Sequence, residues 1–185
     1  MSRIFALVNS TSENDNANYL VNRILDGAMN LSTNIISLHY VQKLHVVFDY
    51  SSNHDGEDDD FSDWLDDIRS SDVFVIGINF EKGQVSSKLG TVLNRFFTES
   101  DILNMKGKNV ITVIVSDSAG SELRDFVHSI RERFVKAGMV YVDDLIFIEE
   151  GGSHAKDNAA IDNKALIIGA SLRTNWRTYD DKAVH

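Results

Sequence analysis

The chain contains no cysteine and no proline. Without cysteine it has no disulfides, no thiol nucleophile and no thiolate metal site. Without proline, every loop must be shaped by glycine, asparagine, aspartate and serine. No apolar run is long enough to span a bilayer. The start, "MSRIFALVNS", turns polar after a short apolar stretch. A signal peptide needs a longer apolar core and a small-residue cleavage site, so this stretch reads as a first β-strand, and the expected location is cytoplasmic. Basic residues are few: 18 Lys and Arg stand against 28 Asp and Glu, a formal charge of −10 at pH 7. With no local basic cluster, such a surface repels nucleic acid and anionic lipid, and neither is expected as a partner.

Several motifs are also missing. Neither G-x-x-x-x-G-K-[ST] nor G-x-G-x-x-G occurs, so the P-loop and dinucleotide fingerprints are absent. H-E-x-x-H and G-x-S-x-G are absent as well. The histidines at 39, 45, 54, 128, 154 and 185 are scattered, and no metal site is expected from them. The run "DGEDDD", Asp55–Asp60, lacks EF-hand spacing and reads as a solvated loop ahead of a helix. A response-regulator phospho-acceptor site would need acids where the chain has Asn9 and Asn79.

What is present is a regular alternation in a chain of 185 residues, 43% of them hydrophobic. Short apolar runs at Ile4–Val8, Asn34–Val41, Asp72–Ile78, Asn109–Asp117 and within "YVDDLIFIEE" read as five strands. Between them, apolar residues recur at helical spacing: Leu20, Val21, Ile24 and Leu25; Phe61, Trp64, Leu65 and Ile68; Leu89, Val92, Leu93 and Phe96; Leu123, Val127, Ile130 and Phe134. A last stripe runs from Ile161 through Trp176 to Tyr179. Several strands are unbroken apolar runs, which implies burial on both faces. The expected architecture is α/β: a five-stranded parallel sheet with helices on both faces, forming a single domain over residues 1–185.

In such a sheet, ligands bind beyond the carboxyl ends of the strands, where the strand order switches. The loops after strands one, three and four should meet there: "NSTSENDNAN", "NFEKGQVSS" and "SDSAGSE". All are rich in hydroxyl, amide or glycine groups. The first leads into a helix N-terminus, whose free amides and dipole suit an anion. Ser10, Thr11, Ser12, Asn14 and Asn16 could donate to it, or could simply cap the helix. Glu13 and Asp15 would repel a phosphate unless they point away.

These loops carry a resemblance. The chain resembles the flavodoxin-like NAD(P)H-dependent FMN reductases and quinone reductases, in which a sequence like "GSPRxxxNTxxL" binds the FMN phosphate. Here "NSTSENDNANYL" keeps Ser10, Asn16 and Leu20 in register; Asn9 replaces the glycine, Ala17 the Thr or Ser, and the base is missing. The family's "P-x-Y-x-G" and "LKxxxD" are matched loosely by "INFEKGQVSSKLGTVLNRF". Phe80 takes the Tyr place, Gly83 the Gly place with one residue extra, Leu89 and Gly90 the "LK", and Asn94 the Asp. Ser116–Gly120 stands for the Gly-containing loop after strand four.

The resemblance implies a flavodoxin-like three-layer sandwich with strand order 2-1-3-4-5. It implies FMN with its phosphate at Ser10, Ser12, Asn16 and Ala17. The ring would lie between Asn79, Phe80 and Glu81 on one side and Ser116, Ala119 and Gly120 on the other. Phe80 would cover the ring edge or pack against a helix. The family reaction is hydride transfer from NAD(P)H to the flavin and onward to a quinone or other small acceptor, with no side-chain acid or base required. A homodimer is implied by the same analogy. Two other readings remain open: a non-catalytic flavodoxin-like module that acts through protein partners, and a flavodoxin-type electron carrier.

Overall fold

The computed structural model describes residues 2–10, 12, 14–29, 33–44 and 60–172. Strand β1 is Arg3–Val8, and helix α1 is Asn16–Met29. Strand β2 is Ile35–Tyr40; a short 3-10 turn, Asp60–Trp64, leads into helix α2, Leu65–Ser70. There follow β3 (Val73–Phe80), α3 (Ser87–Thr98), β4 (Asn109–Ser116), α4 (Ser121–Lys136), β5 (Val140–Ile148) and α5 (Ala159–Ser171). The expected strands and helices are present. The last helix is shorter than its sequence stripe, and Trp176 and Tyr179 lie outside the described residues, as do most of the acidic run and His45, His54 and His185.

All strand pairs are parallel, in the order β2-β1-β3-β4-β5. This is the flavodoxin-like order expected from the sequence. Alternate residues of each strand enter different cores, as a two-residue period requires. Phe5, Leu7, Phe74, Ile76 and Ile114 pack under α2, α3 and α4 with Trp64, Phe96 and Phe134. Ile4, Ala6, Val8, Val75 and Val113 pack under α1 and α5 with Leu20, Ile24, Ala165 and Ile168.

The α1–α5 contact is unusually close because glycine lies on both sides of it. A Cβ on Gly169 would stand 1.9 Å from the Ile24 carbonyl oxygen, and one on Gly27 2.3 Å from that of Leu166. The Arg23 guanidinium holds the Asp162 carboxylate from across the same seam, Nε to Oδ1 at 2.6 Å and Nη2 to Oδ2 at 3.0 Å. The Tyr19 hydroxyl donates to Asp162 as well. These bonds to Arg23 and Tyr19 hold the Asp162 carboxyl below its ordinary pKa.

On the opposite face, buried Lys108 donates from Nζ to the carbonyls of Ile68 and Arg69, both at 2.8 Å, closing the C-terminal end of α2. Burial lowers its pKa from 10.5 to about 8. The folded chain therefore binds fewer protons than the unfolded chain between those values, and stability rises with pH across that window.

Three outcomes are expected in urea unfolding. Gly169→Ala should cost about 3 kcal/mol, because backbone must move to admit the methyl. Gly90→Ala in α3, where a Cβ meets only Val85 Cγ2 at 3.9 Å, should instead gain about 0.5–1 kcal/mol. Wild type should gain stability relative to Lys108→Met as pH rises from 8 towards 10; a pH-independent difference would contradict the depressed lysine.

Candidate functional site

The connections from β1 and β3 leave on opposite faces of the sheet: β1 leads to α1 on one side and β3 to α3 on the other. Between them, at the carboxyl ends of the strands, opens a cleft of about 530 Å³. Asn9, Ser10 and Ser12 line one wall. Asn79, Glu81, Lys82 and Gln84 line the other, with Ser86 at the base of α3 and Gln42 from beyond β2.

The first wall is shaped by its own polar groups. Ser10 Oγ accepts from the Ser12 N–H at 3.1 Å, and Ser12 Oγ from the Asn14 N–H at 3.3 Å. Asp15 caps α1: its Oδ1 accepts from the Asn18 N–H at 3.0 Å, and its carbonyl from the Tyr19 N–H. Its other oxygen, Oδ2, accepts from Asn79 Nδ2 at 2.8 Å, so the carboxylate ties the head of α1 to the end of β3. Thr11 and Glu13 lie outside the described residues.

Asn16 points away from the cleft's walls and is buried. Its Nδ2 donates to Glu149 Oε2 and to the Ser153 carbonyl, and its Oδ1 accepts from the Ala155 N–H at 2.7 Å. It thereby joins α1 to the segment after β5. Ala17 is fully buried in the core under α1. Of the first-loop candidates among the described residues, Ser10 and Ser12 line the cleft, and Asn14, Asn16 and Ala17 do not.

On the second wall, β3 runs into a two-residue turn. Glu81 and Gln84 exchange both backbone hydrogen bonds at 3.0 Å, and Lys82 and Gly83 have φ of 51° and 79°. Positive φ at both central positions makes a tight primed turn, favourable at Gly83 and strained at Lys82. The Lys82 side chain lines the cleft, so a cation reaches the site from this loop instead of the first. Sequence reasoning missed it, because Lys-Gly is a poor hairpin signal beside Asn-Gly or Asp-Gly.

Asn79 donates to Asp15, yet its buried Oδ1 has no hydrogen-bond partner among the described residues. An acceptor in that state costs free energy until a donor reaches it. Phe80, 3% exposed, stacks on Phe126 of α4 with centroids 4.5 Å apart, and so anchors the turn from below. Asn9 stands where the family pattern has glycine. In the fold it is buried and accepts through Oδ1 from Ser86 Oγ at 2.9 Å, while Ser86 Oγ accepts the Leu89 N–H that caps α3.

The third loop flanks the cleft without lining it. Buried Ser116 donates to the Ser118 carbonyl at 2.8 Å, and Asp117 Oδ2 accepts from the Lys82 N–H at 3.0 Å. Ala119 and Gly120 are exposed, with Gly120 at the N-cap of α4. His39, away from this edge, pairs with Asp67 at 3.1 Å and stacks on Phe5; burial lowers its pKa. Among the described residues, no group of three His, Asp or Glu could hold a metal ion, and no helix is long and apolar enough to cross a membrane.

Comparison with known proteins places this geometry. A family profile described as NADPH-dependent FMN reductase matches residues 2–152. No curated protein matches the chain by sequence. Among solved structures, a crystal structure of RosB with the bound intermediate 8-demethyl-8-formylriboflavin-5'-phosphate aligns at 11% identity, covering 92% of this chain and 77% of that one, with a TM-score of 0.74. An apo NADH:FMN oxidoreductase aligns at 15% identity over 96% and 94%, with a TM-score of 0.67. The NAD(P)H:quinone oxidoreductase of Methanothermobacter marburgensis aligns at 10% identity over 92% and 96%, with a TM-score of 0.65. At these identities the likeness is one of fold.

The cap at the head of α1 carries a measurable cost. Asp15→Ala should lose about 1–2 kcal/mol in chemical unfolding, since it removes the cap and strands the Asn79 amide. Asp15→Ser, which keeps a capping oxygen, should lose less than Asp15→Ala. Equal losses would show that the cap contributes nothing.

Proposed function

The chain belongs to the NADPH-dependent FMN reductase family, and from that premise we propose that it is a flavin-dependent oxidoreductase drawing hydride from NADH or NADPH. The final acceptor in this reading is a quinone or another small molecule. The observation that carries the proposal is the polar cleft at the switch point, bounded by the connections from β1 and β3.

The cleft suits a flavin in part. Its volume of about 530 Å³ is that of a cofactor site, and serine, asparagine and glutamine residues line it together with Lys82 and Glu81. Asn79 lines the cleft, and its buried Oδ1 has no hydrogen-bond partner among the described residues. The head of α1 suits the phosphate of FMN poorly, because the Asp15 carboxylate already accepts the Asn18 amide there. FMN and riboflavin share the same redox ring, so the proposed chemistry does not depend on that phosphate.

When bound, the flavin supplies the ring that accepts and releases hydride. The residues of the chain hold and shield it. In this reading Ser10 and Ser12 border the polyol chain, while Asn79 and Glu81 border the ring. Ser116, Ala119 and Gly120 flank its far side. Asn16, Ala17 and Phe80 act at one remove: the first two seat α1, and Phe80 seats the turn that carries Glu81 and Lys82. No side chain is assigned a proton to move. By family analogy the protein would work as a cytoplasmic homodimer.

One observation favours a second reading, a flavin-free module acting through protein partners: at the helix end that would meet a phosphate, the Asp15 carboxylate already accepts the Asn18 amide. Purified protein titrated with FMN and with riboflavin, followed by NADH or NADPH under anaerobic conditions, separates these readings. Flavin uptake with bleaching by a nicotinamide cofactor is expected. Flavin uptake without bleaching would indicate an electron carrier, and a colourless protein that takes up neither flavin would leave the flavin-free module.

A further inference from the structure

We propose that Asp117, which does not itself line the cleft, is a positioning residue for it: its carboxylate holds the Lys82 N–H and so fixes the turn that presents Glu81, Lys82 and Gln84 to a ligand. The inference rests on the flavin reading and names what shapes the wall against which the flavin would lie.

The turn needs support from outside. Its own two hydrogen bonds run between Glu81 and Gln84, so neither uses the Lys82 N–H. Lys82 has a φ of 51°, a left-handed conformation that lysine adopts at a cost. Gly83, with a φ of 79°, bears no such cost. Lys82 is therefore the position at which the turn would relax, into a conformer that aims its residues elsewhere. Asp117 Oδ2 accepts the Lys82 N–H at 3.0 Å. A carboxylate makes a charge-assisted bond there, stronger than one to a neutral acceptor.

Asp117 is itself held in place. Buried Ser116 donates through Oγ to the Ser118 carbonyl at 2.8 Å and accepts the Ser118 N–H at 3.2 Å. One hydroxyl thus pins the backbone on both sides of Asp117. The neighbours of Lys82 are seated by α4: Phe80 stacks on Phe126, and a Cβ on Gly83 would stand 2.8 Å from Glu122 Oε2. These are contacts of shape around Lys82, whereas the Asp117 bond acts on Lys82 itself. Through it the loop after β4 governs a cleft that it does not line.

The test uses the full chain in two measurements. In flavin-free protein, amide exchange at Lys82 followed by NMR should quicken about threefold or more in Asp117→Ala, and return toward wild type in Asp117→Asn, which keeps an acceptor oxygen. In fluorescence titrations with riboflavin and FMN as separate probes, Asp117→Ala should raise Kd about three- to tenfold, and Asp117→Asn by less. In a Lys82→Gly background, where glycine takes positive φ unaided, Asp117→Ala should change Kd by less than about twofold. Asp117 is exposed, and circular dichroism checks that each variant folds. Unchanged exchange in Asp117→Ala overturns the proposal. Equal losses in the Ala and Asn variants, or an undiminished loss in the Lys82→Gly background, overturn it as well. Failure of wild type to bind either flavin overturns the flavin reading instead, and the exchange measurement still decides whether Asp117 holds the turn.

Discussion

Burial of the sheet on both faces is the constraint from which the rest follows. Parallel strands with helices above and below leave no face open to solvent, so the strand ends and their loops are the places where a ligand can approach. The two cores enforce this differently. Under α2, α3 and α4, aromatic rings fill the space, with Phe5, Phe74 and Phe96 in mutual edge and tilted contacts. Under α1 and α5, small residues let backbones approach until Gly27 and Gly169 leave no room for a methyl. The second arrangement packs α1 closely, and the loop that leads into α1 supplies one wall of the cleft through Asn9, Ser10 and Ser12.

Asp15 reads in sequence as one polar residue among many, yet its carboxylate spans from the first turn of α1 to the last residues of β3. Asn9, Ser86 and Leu89 form a comparable chain on the α3 side. The polar loops at this edge are thus largely satisfied from within, which is how backbone donors avoid being stranded. Among the described residues, Asn79 Oδ1 is the buried side-chain polar atom left without a hydrogen-bond partner.

Family membership and fold therefore bear on different questions. The match over residues 2–152 places the chain among NADPH-dependent FMN reductases, and the strand order agrees with the flavodoxin-like fold. At single positions this chain departs from the pattern it resembles: Asn9 for glycine, Ala17 for a hydroxyl residue, and a lysine at the cleft, Lys82, outside the first loop. Asn9 and Lys82 line the cleft, whereas Ala17 lies in the core under α1.

The strands, their parallel arrangement and the helical stripes were legible in the sequence because they depend on local periodicity: a run such as "VFVIGI" reports burial on both faces wherever it sits. The three loops at the carboxyl edge followed from that topology. Which of their side chains enter the cleft was settled only by tertiary structure, since small polar residues have no period to read. Asn16 and Ala17 are neighbours in the first loop's pattern, yet one reaches the segment after β5 and the other sinks into the core. Phe80 turns to Phe126, and Asp15 finds Asn79, because partners distant in sequence arrive at those points. Hydrogen-bond direction and charge proximity are properties of the assembled chain, which no local sequence pattern reports.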